Sequence, residues 1–475
     1  LQDLTRGSIG RHLLSLSAFM AVSLAFQTLY FLADLFFVGH LGSAAIAAVS
    51  LSGNLMMVVL ALTQVLSVGT TTLVAHAVGR KDRDRANLVF NQAFAVSIAA
   101  AVVFGVLGFA LRGAYCRALA ADDATVAYAV QYLDFFVPAL ALQFTVVALA
   151  AALRGSGVVK PTMVIQVLSV ALNIVLAPIL ILGWGTGRPL GVAGAGLASL
   201  LAIVFGVALF WRYFLGPEVY LRFAPSEWRP RGAILTRLMG IGLPAGGEFG
   251  LMSAYLMLIY WITRPLGAAA QAGFGVGGRV MQSLFLPVMA VAFAAAPLAG
   301  QNFGARDGER VRATFRVAAT ATCALMLLLA ALSHIAPEAM IGVFSADPAV
   351  IGFGAQFLRI ISWNFPAMAL IFTSSSVFQG MGNTWPPLFS SSLRLLLFAL
   401  PAAILSRQPG FDIRSVWFLS VASVAVQAIV NLLLLRREFR RRLAFVPAAV
   451  PAAAVAAAPG DARCLTAPPA RGIFR

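Results

Sequence analysis

Gln27-Thr28-Leu29-Tyr30-Phe31-Leu32-Ala33-Asp34 places one carboxylate in a run, Leu13 to Val38, that is otherwise almost wholly apolar. The run is long enough to cross a bilayer as a helix. An acid in such a span faces protein or water rather than lipid, because burying it unpaired costs at least ~2.5 kcal/mol. Ser23, Gln27, Tyr30 and Asp34 follow one another at intervals of 4, 3 and 4 residues. A helix therefore gathers them on one narrow face. Such a stripe either lines a cavity or locks two helices together; intramembrane acids are functional by default, which favours the cavity.

The composition carries this reading to the whole chain. Soluble domains hold about 25% charged residues; this chain of 475 holds 11%, with 60% hydrophobic residues. The fold class expected is an all-α membrane protein. Twelve spans are predicted near 13–38, 44–75, 88–111, 126–153, 162–182, 191–214, 235–263, 268–299, 313–335, 351–378, 388–406 and 416–435. The runs are too long and too little alternating for a β-barrel. The first is span-length and ends in no small-residue cleavage site, so it reads as a span rather than a signal peptide. The net charge of +17 comes in short bursts between the apolar runs. The partner it implies is the lipid bilayer, not nucleic acid. Alternate loops hold 22 basic residues in one set and 6 in the other. By the positive-inside rule both termini are expected to be cytoplasmic, in a multi-pass protein of the cytoplasmic (inner) membrane. Cys116, Cys323 and Cys464 have no metal-like spacing, so no disulfide framework and no metal site are expected.

A shift of 225 positions brings similar features into register. Leu41-Gly42 falls on Leu266-Gly267, Gly79-Arg80-Lys81-Asp82 on Gly304-Ala305-Arg306-Asp307, and Arg154-Gly155-Ser156-Gly157 on Gln379-Gly380-Met381-Gly382. Two pseudo-symmetric six-helix lobes follow, at 1–215 and 235–442, with a cytoplasmic linker at 216–234 and an Ala/Pro-rich, disordered tail at 443–475. Six spans per repeat leave both halves in the same orientation, with a path between or within them.

These landmarks, with Gln27-Thr28-Leu29-Tyr30 leading to Asp34, Lys160-Pro161, Gly273-Phe274-Gly275 through Arg279, and Gly300-Gln301-Asn302-Phe303-Gly304-Ala305, resemble the multidrug and toxic compound extrusion (MATE) family over about residues 4 to 440. The resemblance implies two lobes around a V-shaped cleft, exporting amphipathic organic cations in exchange for protons or sodium. It also implies that Asp34 is the coupling carboxylate, with Asn173 and Ser199 as neighbours beside Gln27 and Tyr30 of the stripe. Two positions depart from the family pattern. Ala177 stands where a fifth-helix Asp is expected, and Phe19 where a first-helix Pro is common. A hard cation wants several oxygen ligands and anionic charge, whereas a proton needs one carboxylate. Proton coupling is therefore expected, with sodium as the alternative.

Only Asp34 and Glu248, among 17 acids, sit well inside spans. Glu248 heads a second stripe with Met252, Tyr255 and Ile259, again at intervals of 4, 3 and 4. Glu248, Met252 and Tyr255 are candidate cargo contacts, through charge, soft packing and an aromatic face; the other reading pairs Glu248 with Arg279. Asp134 is expected to cap or pair near the membrane surface, and His40 and His76 to be interfacial. A major-facilitator transporter lacks the repeated Gly-rich turns, and a lipid-linked oligosaccharide flippase needs more mid-span cations than Arg279, Arg359 and Arg394. A prenyltransferase-like enzyme needs clustered carboxylates. The chain therefore reads as a monomeric antiporter of small organic cations without a cofactor, and not as an enzyme.

Overall fold

The structure is a computed structural model describing residues 3–119, 122–185, 187–217, 219–408 and 410–445; the tail from 446 onward lies outside the described residues. The regular elements described are helices. The first half holds α1 (Ile9–Gly39), α2 (Ser43–Gly79), α3 (Arg83–Leu119), α4 (Asp123–Gly155), α5 (Lys160–Leu182) and α6 (Val192–Phe214). The second holds α7 (Gly232–Thr263), α8 (Ala268–Gly304), α9 (Gly308–Ile335), a short α10 (Pro337–Gly342), α11 (Pro348–Ile361), α12 (Phe365–Met381), α13 (Trp385–Leu405) and α14 (Ile413–Arg442). With α11 and α12 as one span, Pro348–Met381, twelve helical segments are long and apolar enough to cross a membrane. The protein is thus the multi-pass, twelve-span membrane protein that the sequence predicts. The tenth span differs in being interrupted by a 3-10 turn at Ser362–Asn364. Pro366 follows it, and a proline has no N–H to continue the helical ladder.

Scarce acids are spent at helix ends. Asp82, Asp122, Asp307 and Asp412 each accept a backbone N–H in the first turn of α3, α4, α9 and α14, at 2.9, 2.7, 2.9 and 2.9 Å. The 225-residue offset recurs in the backbone itself. Helices begin at Ser43 and Ala268, Arg83 and Gly308, Lys160 and Trp385. Positive φ recurs at Gly42 and Gly267 (100° and 91°), Lys81 and Arg306 (60° and 61°), and Gly157 and Gly382 (80° and 75°). After α2 the Asp82 N–H reaches back to the Ala77 carbonyl at 3.0 Å, and after α8 the Asp307 N–H reaches the Asn302 carbonyl at 2.9 Å. Both turns close a helix with a left-handed residue, the place where glycine is ordinarily found.

The halves are joined by helices that cross over. The start of α7, through Ile234, Leu238, Ile241 and Ala245, belongs to the first half's core. The start of α1, through Leu13, Leu16 and Met20, packs with Ala294, Ala295 and Leu298 of α8. At the end of the bundle that carries the basic loops, α2 and α8 touch backbone to backbone. A Cβ on Gly79 would lie 2.0 Å from the Gln301 carbonyl oxygen, and one on Gly304 would lie 2.4 Å from that of His76. These two glycines are again 225 apart, and neither tolerates a side chain. His76 is accordingly buried in this joint rather than interfacial, and donates from Nε2 to the Gly380 carbonyl at 2.7 Å.

The segment between the halves is strapped to α3. Asn91 donates to the Arg222 carbonyl (2.9 Å) and accepts from the Ala224 N–H (2.9 Å) and the Trp228 indole (3.0 Å). Gln92 donates to the Arg229 carbonyl (2.7 Å) and accepts from the Arg231 N–H (2.8 Å). Phe90, Phe94, Trp211, Phe214 and Phe223 fill in around this strap.

Holding Lys81 and Arg306 left-handed costs on the order of 1 kcal/mol each. Lys81→Gly is expected to raise the melting temperature of the detergent-solubilised protein. Lys81→Ala, which removes the charge but keeps the strain, is not. Equal effects of the two substitutions would put the change in the charge and not in the backbone.

Candidate functional site

On α1 the sequence-predicted stripe is real as a face: Ser23 and Asp34 are buried, Gln27 and Tyr30 half-buried, while Val22, Thr28, Leu29 and Leu32 beside them are exposed. Asp34 is 7% exposed. Tyr132 of α4, fully buried, lies beside both this carboxylate and Ser199 of α6. Tyr30 and Ser199 share a hydrogen bond of 2.7 Å. Asp34, Tyr30, Ser199 and Tyr132 therefore form one group joining α1, α4 and α6. The Asp34 Oδ1 atom has no hydrogen-bond partner among the described residues. Asn173, on α5, is fully buried, and neither of its amide atoms has a partner among the described residues. Ala177, one turn further, is also fully buried and brings no oxygen.

Tyr132 is the member that sequence reasoning missed. It sits two residues before Asp134, whose carboxylate instead pairs with Arg112 at 2.6 Å. The available signal was Tyr132 itself, one of 8 tyrosines in 475 residues, within the predicted span 126–153. A lone span aromatic is normally core, and only its polar tip, needing a partner when buried, argues otherwise.

Below this group, towards the basic end, lies a cavity of about 320 Å³. Ser23, Gln27 and Tyr30 line it from α1; Gln64, Gln143 and Gln166 add amides from α2, α4 and α5. Met20, Met56, Phe210 and Phe293 give apolar walls, Phe293 and Gln379 coming from the second half. No acid lines it. Its one cationic side chain, Arg154, is tied to Ser67 Oγ at 2.9 Å.

The second stripe is the first one displaced by 225. Glu248, Met252, Tyr255 and Ile259 occupy the places of Ser23, Gln27, Tyr30 and Asp34. The acid stands at opposite ends of the two stripes, 11 residues apart in register, which is about 16 Å along a helix. Glu248 Oε1 accepts from Ser375 of α12 and Ser391 of α13, both at 3.3 Å. Gln427 of α14 donates to Ser391 at 3.0 Å and accepts from Arg394 at 3.5 Å. The Arg394 guanidinium lies 4.5 Å above the Tyr255 ring, and Tyr255 shares a 2.8 Å hydrogen bond with Ser420. So Glu248 and Tyr255 meet through one chain of polar groups, and one face of Tyr255 is already covered by a cation. Met252 is 53% exposed and outside this chain. Arg279 is exposed and forms no ion pair with Glu248. The two candidate constellations thus stand one in each half. Among the described residues there is no His/Cys/Asp/Glu cluster able to hold a metal ion.

Comparison with known proteins bears on both halves. The family profile described as MatE matches residues 20–179 and 244–405. The chain is 25% identical over 415 residues to a probable multidrug resistance protein NorM of Thermotoga maritima, covering 86% of this chain and 88% of that one. It is 25% identical over 420 residues to a probable multidrug resistance protein YpnP of Bacillus subtilis, covering 87% and 90%. A solved structure described as the outward-facing conformation of a multidrug resistance MATE family transporter superimposes with a TM-score of 0.86 at 25% identity, over 94% of this chain and 98% of that one.

A buried amide with no partner costs about 1–3 kcal/mol. Asn173→Leu, similar in volume, is therefore expected to raise the melting temperature in detergent. A clear drop would show that the amide is satisfied in the folded protein.

Proposed function

Because the chain belongs to the MATE family of multidrug efflux transporters, we propose that it exports amphipathic organic compounds, cationic ones among them, in exchange for protons, with Asp34 as the coupling carboxylate. The observation that carries this reading is the setting of Asp34: one buried carboxylate beside Tyr132 and the Tyr30–Ser199 pair, with no second acid and no cation against it among the described residues. A hydroxyl can donate or accept, so Tyr132 can serve both the charged and the neutral carboxyl group. A cavity that is alternately wet and sealed then lets Asp34 release and take up a proton. Sodium is less well served, because Ala177 contributes no carboxylate and Asp34 is left as the one anionic ligand among the described residues of this group. The cavity of apolar walls and amides suits amphipathic cargo, and Glu248, outside that cavity in the second half, offers a separate negative charge to cationic cargo. The excess of basic residues in one set of loops supports a cytoplasmic placement of that end in the inner membrane. With α2 and α8 in contact there, the two halves meet at that end.

Purified protein in liposomes tests the coupling ion, with proton and sodium gradients imposed separately. Export is expected to follow the proton gradient without sodium. Asp34→Asn is expected to fold and melt like the parent yet lose gradient-driven export by roughly a hundredfold, the scale on which a positioned proton-transfer group acts. Normal export by a well-folded Asp34→Asn protein, or strict sodium dependence of the parent, overturns the assignment. Glu248→Gln is expected to weaken apparent affinity for cationic cargo by roughly tenfold while leaving neutral cargo unchanged. Equal loss for both would make Glu248 a structural partner of Ser375 and Ser391 instead.

A further inference from the structure

A second pocket, of about 190 Å³, opens at the basic end where α2 and α3 of the first half meet α7 of the second. Its floor includes Leu73, Ile234 and His76; Arg80, Arg85 and Arg237 stand around it. None of these three guanidinium groups makes a hydrogen bond or ion pair among the described residues. Of the two acids nearest in sequence, Asp82 is used as the α3 cap, and Asp84 is exposed and forms no ion pair with these arginines. Arg442 also stands near Arg237, but its charge is paired with Glu438 at 3.2 Å. His76 is 4% exposed, and its Nδ1 atom has no partner among the described residues.

The repeat shows what such a pocket is built to hold. Displaced by 225, its residues Leu73, His76, Arg85 and Ile234 become Leu298, Gln301, Arg310 and Ile9. The correspondence extends to the bonds. His76 donates to the Gly380 carbonyl at 2.7 Å, and Gln301 donates to the Gly155 carbonyl, again 225 away, at 3.1 Å. At the equivalent place in the second half the chain's own N-terminal segment is the occupant. Gln301 Oε1 accepts the Leu4 N–H at 3.1 Å, and Arg310 donates to the Leu4 and Gly7 carbonyls at 3.2 and 3.0 Å. The segment equivalent to Leu4–Gly7 is Arg229–Gly232. It cannot fill the first half's pocket, that of Arg80, Arg85 and Arg237, because Gln92 holds Arg229 and Arg231 against α3.

An occupant of the first half's pocket must therefore present what Leu4 and Gly7 present to its mate: acceptor oxygens for arginine and a donor for the atom in the place of Gln301 Oε1. With Nε2 donating to Gly380, the neutral His76 ring offers Nδ1 as an acceptor. Three unpartnered arginines replace one, so the acceptor group carries negative charge. We propose that this pocket binds the headgroup of an anionic phospholipid bearing a free hydroxyl, with Arg80, Arg85 and Arg237 on the phosphate oxygens and His76 Nδ1 accepting from the hydroxyl. Basic pockets between spans at a cytoplasmic surface recognise such headgroups. The volume is below the about 300 Å³ at which drug-sized sites begin. Because α2 and α3 belong to one half and α7 to the other, an occupied pocket ties the halves together at the basic end. The site stands apart from Asp34 and Glu248, so its failure leaves the coupling reading untouched.

The test is native mass spectrometry of the full chain from micelles carrying phosphatidylglycerol or phosphatidylcholine, with soluble glycerol phosphate as a third arm. One phosphatidylglycerol is expected to be retained per chain, and phosphatidylcholine is not. The triple variant Arg80→Gln, Arg85→Gln, Arg237→Gln is expected to bind it about tenfold more weakly or worse, and Arg312→Gln with Arg316→Gln, basic positions on α9, to bind it normally. Should the triple variant not fold, the single change His76→Leu is to show the weaker binding, with melting checked alongside. Displacement of the lipid by millimolar glycerol phosphate supports recognition of the phosphate group. Retention of glycerol phosphate without any of the lipid overturns the lipid as ligand. Unchanged binding in the triple variant, or equal loss in the α9 control, overturns the site.

Discussion

The cost of keeping a carboxyl group inside an apolar bundle shapes this molecule more than any other single term. Both deep acids stand among hydroxyl groups: Asp34 beside Tyr132, and Glu248 accepting from Ser375 and Ser391. Neither is neutralised by a buried arginine at contact distance. A direct ion pair would hold its carboxylate in the charged form, since breaking a buried pair costs several kcal/mol. Hydroxyl partners impose no such choice, as they bond to either form. Even where a cation is near, in the second half, Arg394 reaches Glu248 only through Gln427 and Ser391. A bundle with so few acids has kept these two uncommitted.

The repeat supplies two copies of each part, and its departures from symmetry are where the copies take separate tasks. The stripes on α1 and α7 coincide position by position, and the Tyr30–Ser199 bond has its counterpart in Tyr255–Ser420. Yet the acid moves from one end of the stripe to the other, so the two halves do not offer charge at the same depth. The same holds at the basic end. His76 and Gln301 make equivalent bonds across the joint, but one has the N-terminal segment as its second partner and the other has an open pocket with three arginines. Backbone geometry, by contrast, is conserved between the halves even where it is strained, as at Lys81 and Arg306.

What could be read from the sequence follows from what leaves a periodic or compositional trace. Span-length apolar runs gave twelve helices, and the offset of 225 predicted paired turns whose φ angles agree closely in the structure. Helical spacing alone put Ser23, Gln27, Tyr30 and Asp34 on one face. Contacts made between distant helices leave no such trace. Tyr132 resembles a core aromatic until Asp34 is beside it. His76 is near a helix end in sequence but lies in the joint, because Gly79 and Gly304 let two backbones meet there. Asn91 and Gln92 look like polar residues near a span's edge; their role as the strap for the inter-lobe segment depends on a chain that arrives about 130 residues later. Arg394 and Tyr255 are 139 residues apart, and nothing local announces that one covers the other.

The coupling group proposed here and the joint between the halves lie at opposite ends of the cavity, so one element must feel both. α1 is placed to do so. The first part of α1 is packed into α8 through Leu13, Leu16 and Met20, while Asp34 near its other end faces Tyr132 and the Tyr30–Ser199 pair in the first half. Between them, Ser23, Gln27 and Tyr30 line the cavity. The helix runs unbroken from Ile9 to Gly39 and contains no proline, Phe19 standing where the family pattern has one. Without a proline there is no built-in bend to absorb a local change. A shift of α1 at Asp34 is therefore passed along a continuous rod to its packing on α8, and the joint responds as a whole. In α7 the arrangement is reversed. Its acid, Glu248, stands just beyond Pro244 and the close approach of Gly242 and Gly246 to α2. A charge change there acts beside the joint and not at the far end of a lever.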